Sequence, residues 1–192
     1  MRRTKIICTI GPKTESEEMI RALAASGMNI ARLNMSHGTL EWNSMAMKRV
    51  KKISQETIFP IGLMIDTQGP EIRTSANIEL GLEEGDTFKI AVSSACDIQE
   101  GEKHTFVDYE NLTDKVKKGN VILVDDGLIA LEVLKVDPYH ITCKVLNKGQ
   151  LGKRKSINLP GIRTDLPAIT EKDRESIKIG VKNGADFIAQ SF

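Results

Sequence analysis

Residues 29–38 read NIARLNMSHG, and this stretch decides the fold because an apolar run changes into a polar loop within a few positions. The run over 29–35 predicts a β-strand, in which successive side chains point to opposite sides. Arg32, Asn34 and Ser36 therefore share one side of the strand and emerge together near its carboxyl end. Such a cluster suits a phosphate or carboxylate ligand, although an ion pair of Arg32 at a solvated strand end would give the same pattern.

The segments on either side of this strand alternate between strand and helix. Before it, a β-branched run from Ile6 to Ile10 predicts a strand, and Thr14 with Glu17 predicts a capping box that starts a helix. After it come a helix and a third strand over 61–65. The predicted apolar face of that helix consists of Trp42, Met45, Ala46, Val50 and Ile53. Strands joined by helices through short loops predict a parallel sheet or barrel.

The pattern changes between residues 74 and 168, where short β-type runs are separated by Gly and Asp turns. We predict an inserted all-β domain here. Afterwards Thr170 and Asp173 predict the cap of another helix, and a fourth strand follows over 186–190. The predicted fold is α/β, a partial βα barrel at 1–73 and 169–192 with the insert at 74–168. Only half of a barrel is expected, because eight strands with their helices need about 250 residues.

The composition excludes several classes of protein. The chain has 192 residues, a net charge of +1 from 27 Lys and Arg against 26 Asp and Glu, and 40% hydrophobic residues. The overall charge gives no support for nucleic-acid binding, and the hydrophobic content excludes a disordered chain. Three scattered cysteines without a CxxC pair argue against a zinc site or a disulfide framework. This cysteine usage favours a reduced, cytoplasmic setting. Since no apolar run is long enough to span a bilayer, we also predict that the protein is not bound to membranes.

A second polar cluster follows the predicted third strand, in the sequence DTQGPEIR at 66–73. The carboxylate of Asp66 and the hydroxyl of Thr67 lie there, near the oxygens that Asn34 and Ser36 contribute from the preceding strand. Oxygen donors with a single carboxylate suit a weakly held hard cation better than a divalent cage. An ordinary chain reversal through the Gly-Pro pair would explain the same residues.

A basic stretch within the predicted insert is a third candidate site, made of Lys148, Lys153, Arg154 and Lys155. Basic loops bind nucleotide phosphates, but they are also commonly just solvated. The sequence contains neither GxxxxGK[ST] nor GxGxxG, which disfavours a P-loop or a Rossmann nucleotide site. The segment Asp125-Asp126-Gly127 could be a carboxylate pair, yet its position between apolar runs predicts a hairpin turn.

Five motifs taken together resemble the pyruvate kinase family. They are TKIICTIGP (4–12), NIARLNMSHG (29–38), DTQGPEIRT (66–74), VDDGLI (124–129) and INLPG (157–161). Their order and spacing match the family along the whole chain. The resemblance implies a TIM barrel whose third strand is followed by an inserted β-barrel lid, and it identifies the chain as the N-terminal portion of such a protein.

The resemblance also implies roles for individual residues. Arg32 would contact the transferring phosphoryl group, as a catalytic and substrate-binding residue. A potassium site would be formed by Asn34, Ser36, Asp66 and Thr67. In this family Glu71 is associated with dependence of the activity on a monovalent cation. The residues implied to border or reach the nucleotide are Thr9, Pro12, Asn34, His37, Trp42, Arg73 and Lys155. At two positions the chain departs from the family, which usually has tyrosine in place of Trp42 and lysine in place of Gln68.

By the same resemblance, the complete enzyme would transfer the phosphoryl group of phosphoenolpyruvate to ADP, giving pyruvate and ATP in the last step of glycolysis. It would use Mg²⁺ and K⁺ and assemble as a homotetramer. The magnesium ligands and the catalytic lysine would lie on later strands outside residues 1–192, so we expect the isolated chain to be inactive. Two alternatives stay open: another barrel enzyme that uses phosphoenolpyruvate or pyruvate, and a non-catalytic nucleotide-binding remnant.

Overall fold

The computed structural model describes residues 3–75 and 79–192. In chain order its elements are β1 (Ile7–Thr9), α1 (Glu17–Ala25), β2 (Ile30–Asn34), α2 (Leu40–Glu56), β3 (Gly62–Asp66), β4 (Ile72–Arg73), β5 (Leu80–Leu82), β6 (Thr87–Ala91), β7 (His104–Phe106), α3 (Leu112–Lys115), β8 (Val121–Val124), β9 (Ile129–Val136), β10 (His140–Val145), β11 (Gly149–Leu151), β12 (Ser156–Asn158), α4 (Glu171–Lys182) and β13 (Phe187–Ala189). They form two compact units, a first unit at 1–70 with 167–192 and a second unit at 71–166. Within the described ranges, no helix combines the length and the apolar character needed to cross a membrane.

The first unit is built on a four-stranded parallel sheet in the order β1-β2-β3-β13. A parallel pair needs a crossover connection, and α1, α2 and α4 lie in these connections. Four strands with their helices amount to half of a βα barrel, and the sheet is curled accordingly. The predicted α/β fold class, a partial barrel, is confirmed.

The two faces of this sheet differ in the way the alternation along the strands predicts. The fully buried face of β2 and β3 consists of Ala31, Leu33, Leu63 and Ile65. These side chains belong to one apolar core with Ala46, Val50 and Ile53 of α2. Burying each larger aliphatic side chain contributes about 1.5–3 kcal/mol, which holds the helices on this face. Arg32 and Asn34 are half-buried on the opposite face.

Two local predictions for the helices are wrong. The N-cap of α1 is Ser16, whose Oγ accepts the Met19 N–H at 3.1 Å. Thr14 does not cap α1, because its Oγ1 accepts the Gly11 N–H at 2.9 Å and closes the turn after β1. Met45 is 50% exposed, since α2 turns a slightly rotated face to the core, made of Asn43, Ala46, Met47, Val50 and Ile53. Periodicity alone does not fix the edge of such a face.

The second unit is a β structure with its own apolar core. Its main sheet has the order β4-β12-β8-β9-β10-β6-β7, and β11 pairs with β5. Phe88, Ile90 and Leu131 are among the buried residues of its core. The predicted turn at Asp125-Asp126-Gly127 is confirmed, because it joins the antiparallel strands β8 and β9 with φ angles of 54°, 54° and 90°. The single helical turn α3 was not predicted by the sequence pattern.

Candidate functional site

Arg32 and Asp66 form an ion pair on neighbouring strands of the first unit. The Arg32 Nε donates to Asp66 Oδ2 at 2.7 Å, and its Nη1 donates to Thr9 Oγ1 at 2.7 Å. The side chains of Arg32 and Asp66 are 29% and 17% exposed. The strand register brings these side chains together, because Thr9 pairs with Arg32 across β1 and β2, and Asn34 pairs with Asp66 across β2 and β3. The ion pair holds the guanidinium in a defined position while part of it stays accessible to a ligand.

The four residues of the implied potassium site lie at the carboxyl ends of β2 and β3. Asn34 Oδ1 accepts the Ser36 N–H at 3.0 Å, and Asp66 Oδ1 accepts the Ser191 hydroxyl at 3.1 Å. Thr67 is buried, and its Oγ1 accepts the Ser191 N–H at 3.2 Å. The oxygen atoms available as cation ligands are neutral, apart from one carboxylate whose charge Arg32 already compensates. This chemistry fits a weakly held monovalent hard cation.

A divalent metal has no dedicated cluster in the described part of the chain. Over residues 3–75 and 79–192, no group of three or more His, Cys, Asp or Glu side chains is arranged to hold a metal ion. A Mg²⁺ ion usually takes one or two carboxylates together with phosphate oxygens and water. Of the four predicted cation ligands, only Asp66 carries a carboxylate.

Three further predicted residues lie in or just after the loops that follow β1 and β2. Pro12 and His37 are exposed, and Trp42 is half-buried in the first turn of α2. Trp42 packs against the first-unit core and against Gly38, where a Cβ would lie only 3.0 Å from the indole Cε3. Gly38 has a φ of +73°, which suits glycine. The single tryptophan therefore lies directly against the loop that follows β2.

Arg73 and Lys155 belong to the second unit and lie on paired strands or next to them. The Thr74 N–H donates to the Lys155 carbonyl at 2.8 Å, which holds the two segments together. Arg73 Nε donates to Glu71 Oε2 at 2.7 Å, and Lys155 Nζ lies 3.0 Å from Asp125 Oδ2. Each cation predicted to reach nucleotide phosphates thus has a carboxylate partner within its own unit.

The first turn of α4 contributes Lys172 and Asp173, which the sequence reasoning did not connect with the site. The capping box is confirmed, because Thr170 Oγ1 accepts the Asp173 N–H and Asp173 Oδ2 accepts the Thr170 N–H. In addition, Asp173 Oδ1 accepts the N–H groups of Gln68 and Gly69 at 3.0 and 3.1 Å. The Asp173 carboxylate is fully buried and anchors the loop that follows β3.

The pKa of Asp173 reflects this environment. Burial alone would raise the pKa of the carboxyl group, but the hydrogen bonds from Thr170, Gly69 and Gln68 together outweigh it and lower the pKa below its ordinary value. The carboxylate is therefore the form that the folded chain stabilises.

Lys172, the neighbour of Asp173, also reaches the ends of the strands. Its Nζ donates to Gln68 Oε1 at 2.7 Å and to the Ser36 carbonyl at 3.2 Å. The separation of more than 100 residues along the chain left no local signal for these contacts.

Comparison with known proteins gives the family. A family model described as "Pyruvate kinase, barrel domain" matches residues 1–192. Pyruvate kinases of Staphylococcus aureus (strain USA300), Staphylococcus aureus (strain COL) and Staphylococcus epidermidis are each 44% identical over 194 residues. These matches cover 100% of this chain and 33% of each relative, so the chain spans about a third of the length of the curated relatives.

Proposed function

Because the chain belongs to the pyruvate kinase family, we propose that it supplies the first half of a barrel that transfers the phosphoryl group of phosphoenolpyruvate to ADP. The products would be pyruvate and ATP. The observation that carries the proposal is the Arg32 guanidinium, held by Asp66 and Thr9 at the carboxyl ends of parallel strands. Active sites of βα barrels lie at this end.

The physical demand of phosphoryl transfer supports the assignment of Arg32. The transferring group carries charge on its equatorial oxygens, so catalysis requires exact positioning and fixed cations around it. A guanidinium donates several N–H groups in a planar fork, and one fork edge of Arg32 is already anchored on Asp66. Anchoring reduces the ordering that the substrate would otherwise have to impose on the side chain.

The proposed cofactors are K⁺ and Mg²⁺. Asn34, Ser36, Asp66 and Thr67 would hold the potassium ion, which would supply positive charge next to the anionic substrate. For Mg²⁺ the described residues offer no dedicated set of carboxylates, so its ligands would come from elsewhere in the complete enzyme. The residues proposed as nucleotide contacts are Thr9, Pro12, Asn34, His37 and Trp42 of the first unit, and Arg73 and Lys155 of the second. A cytoplasmic location and a homotetrameric complete enzyme belong to the same proposal.

The test is a chimera in which this chain replaces the matching third of the Staphylococcus aureus relative. We expect the chimera to form pyruvate from phosphoenolpyruvate and ADP, and Arg32→Met to lower kcat by about a hundredfold or more. Arg21→Met is the matched control, because Arg21 is a half-exposed residue of α1 that pairs with Glu56. A folded Arg32→Met chimera with turnover within threefold of the parent would contradict the role of Arg32.

The isolated 192-residue chain provides a second measurement. Since the proposal places further catalytic groups on later strands, we expect pyruvate release by this chain to stay at background. Turnover similar to that of the chimera would show that the residues described here suffice for the reaction, and would overturn this part of the proposal.

A further inference from the structure

The ammonium group of Lys172 is held by two neutral oxygens. Its Nζ donates to Gln68 Oε1 at 2.7 Å and to the Ser36 carbonyl at 3.2 Å. An ammonium group has three N–H donors, so one remains for a further acceptor. Among residues 3–75 and 79–192, no Asp or Glu side chain forms an ion pair with Lys172. Its positive charge therefore has no carboxylate partner in the described structure.

This distinguishes Lys172 from the cations that the family resemblance implies as contacts of phosphate groups. Arg32 is paired with Asp66 in the first unit. In the second unit, Arg73 is paired with Glu71 and Lys155 with Asp125. The charge of each of these cations is therefore already compensated by a carboxylate. Lys172 has only neutral oxygens as partners, and one of its N–H donors remains for an anionic ligand.

The position of Lys172 is defined by its neighbours at the ends of β2 and β3. The side-chain oxygen of Gln68 accepts from Lys172, while the backbone N–H of Gln68 donates to the buried carboxylate of Asp173. Gln68 is thus fixed from both sides by consecutive residues of α4. Ser36, the other partner, follows the strand that carries Arg32. The ammonium group therefore lies at the same end of the sheet as the Arg32–Asp66 pair.

We propose that Lys172 is a further substrate-binding residue, whose ammonium group binds an oxyanion of the phosphorylated substrate. The inference rests on the proposed function and adds to it a residue that neither the sequence motifs nor the family match assigned. Phosphoenolpyruvate carries both a phosphate and a carboxylate, and either could be the group bound. Exchange of the longer contact, to the Ser36 carbonyl, for an anionic oxygen makes a shorter and stronger charge-assisted hydrogen bond.

The test is calorimetric titration of the 192-residue protein with phosphoenolpyruvate, inorganic phosphate and pyruvate. Lys172→Gln keeps a hydrogen-bond donor for the loop oxygens but removes the charge, whereas Lys172→Arg keeps the charge. Lys178→Met is the matched control, because Lys178 is an exposed residue of the same helix. Fluorescence of Trp42, the single tryptophan, follows the loop after β2 in the same samples.

We expect Lys172→Gln to raise the Kd for phosphoenolpyruvate about tenfold or more, while Lys172→Arg stays within about threefold of the parent and Lys178→Met has no effect. The Kd for phosphate and for pyruvate in the same variants identifies which group Lys172 binds. The difference in Kd for phosphoenolpyruvate between the parent and Lys172→Gln should become smaller at high salt, since an exposed charge is screened.

Three other outcomes separate this inference from the proposed function. If Lys172→Gln binds phosphoenolpyruvate as the parent does while Arg32→Met binds it weakly, the role of Lys172 is overturned and the proposed function stands. If phosphate binds in a Lys172-dependent manner but phosphoenolpyruvate binds no better than phosphate or pyruvate, the anion site stands and the proposed substrate is contradicted. Absence of binding by all three anions overturns the anion site itself.

Discussion

Replacement of Asp173 by asparagine should destabilise the first unit by about 3 kcal/mol. The Asp173 carboxylate is fully buried and accepts four hydrogen bonds, from the N–H groups of Gln68, Gly69 and Thr170 and from the Thr170 hydroxyl. Asparagine keeps one acceptor oxygen and places an NH₂ group against at least one buried N–H donor. The two hydrogen bonds to the remaining oxygen lose their charge assistance, which is worth about 1 kcal/mol each, and the unpaired donor costs about another 1 kcal/mol.

The same substitution should change how stability depends on pH. The folded pKa of Asp173 lies below its ordinary value of 3.8, so the carboxylate contributes its full stabilisation above pH 3.8. This stabilisation is lost as the pH falls through the folded pKa. The difference in unfolding free energy between the parent and Asp173→Asn should therefore be constant between about pH 5 and 8 and become smaller below pH 3.8.

Urea unfolding followed by Trp42 fluorescence measures this difference. Trp42 is the single tryptophan and lies in the first unit, so its signal reports the unfolding of that unit. Glu175→Gln is the control, since it removes the same charge from an exposed position of α4. A loss below about 1 kcal/mol for Asp173→Asn, or an equal loss for Glu175→Gln, would refute the reasoning.

Two further predictions concern single positions of the chain. Gly69→Ala should lower the unfolding free energy more than Gly184→Ala. Both glycines have φ above +70°, but of the two only Gly69 would place the new Cβ 2.6 Å from a backbone carbonyl oxygen. Equal losses of unfolding free energy in urea would contradict the steric argument. Burial raises the pKa of the Cys143 thiol to about 12. Iodoacetamide at pH 8 should therefore modify only the half-buried Cys8 and Cys96 in the native chain. A third adduct found by mass spectrometry without urea would contradict this prediction.

The strands of the barrel half could be predicted from the sequence because their signal is local. The run predicted over 29–35 is β2 at Ile30–Asn34, and the run over 61–65 is β3 at Gly62–Asp66. Burial on one face of a strand requires alternating apolar positions, and that alternation can be read directly from the chain. The capping box at Thr170 is equally local, since both partners lie within three residues.

Errors arose where two local interpretations compete. Thr14 and Ser16 are both hydroxyl residues followed by Glu or Met three positions later, and each makes a hydrogen bond to a nearby backbone N–H. The Gly-Pro turn after β1 uses Thr14, which leaves Ser16 as the N-cap of α1. Met45 shows the same ambiguity at the edge of a helical face, because the direction from which the sheet contacts α2 decides which edge is buried.

The sequence by itself determined which residue types stand at the strand ends, since Arg32, Asn34 and Asp66 follow from the alternation of two apolar runs. Only the tertiary structure decided their partners. The ion pair of Arg32 with Asp66 spans 34 residues, and the contacts of Lys172 and Asp173 with Gln68 span more than 100. Hydrogen bonds and ion pairs act over a few ångströms in space, so residues far apart in sequence become neighbours only through the register of the sheet and the packing of α4 beside it.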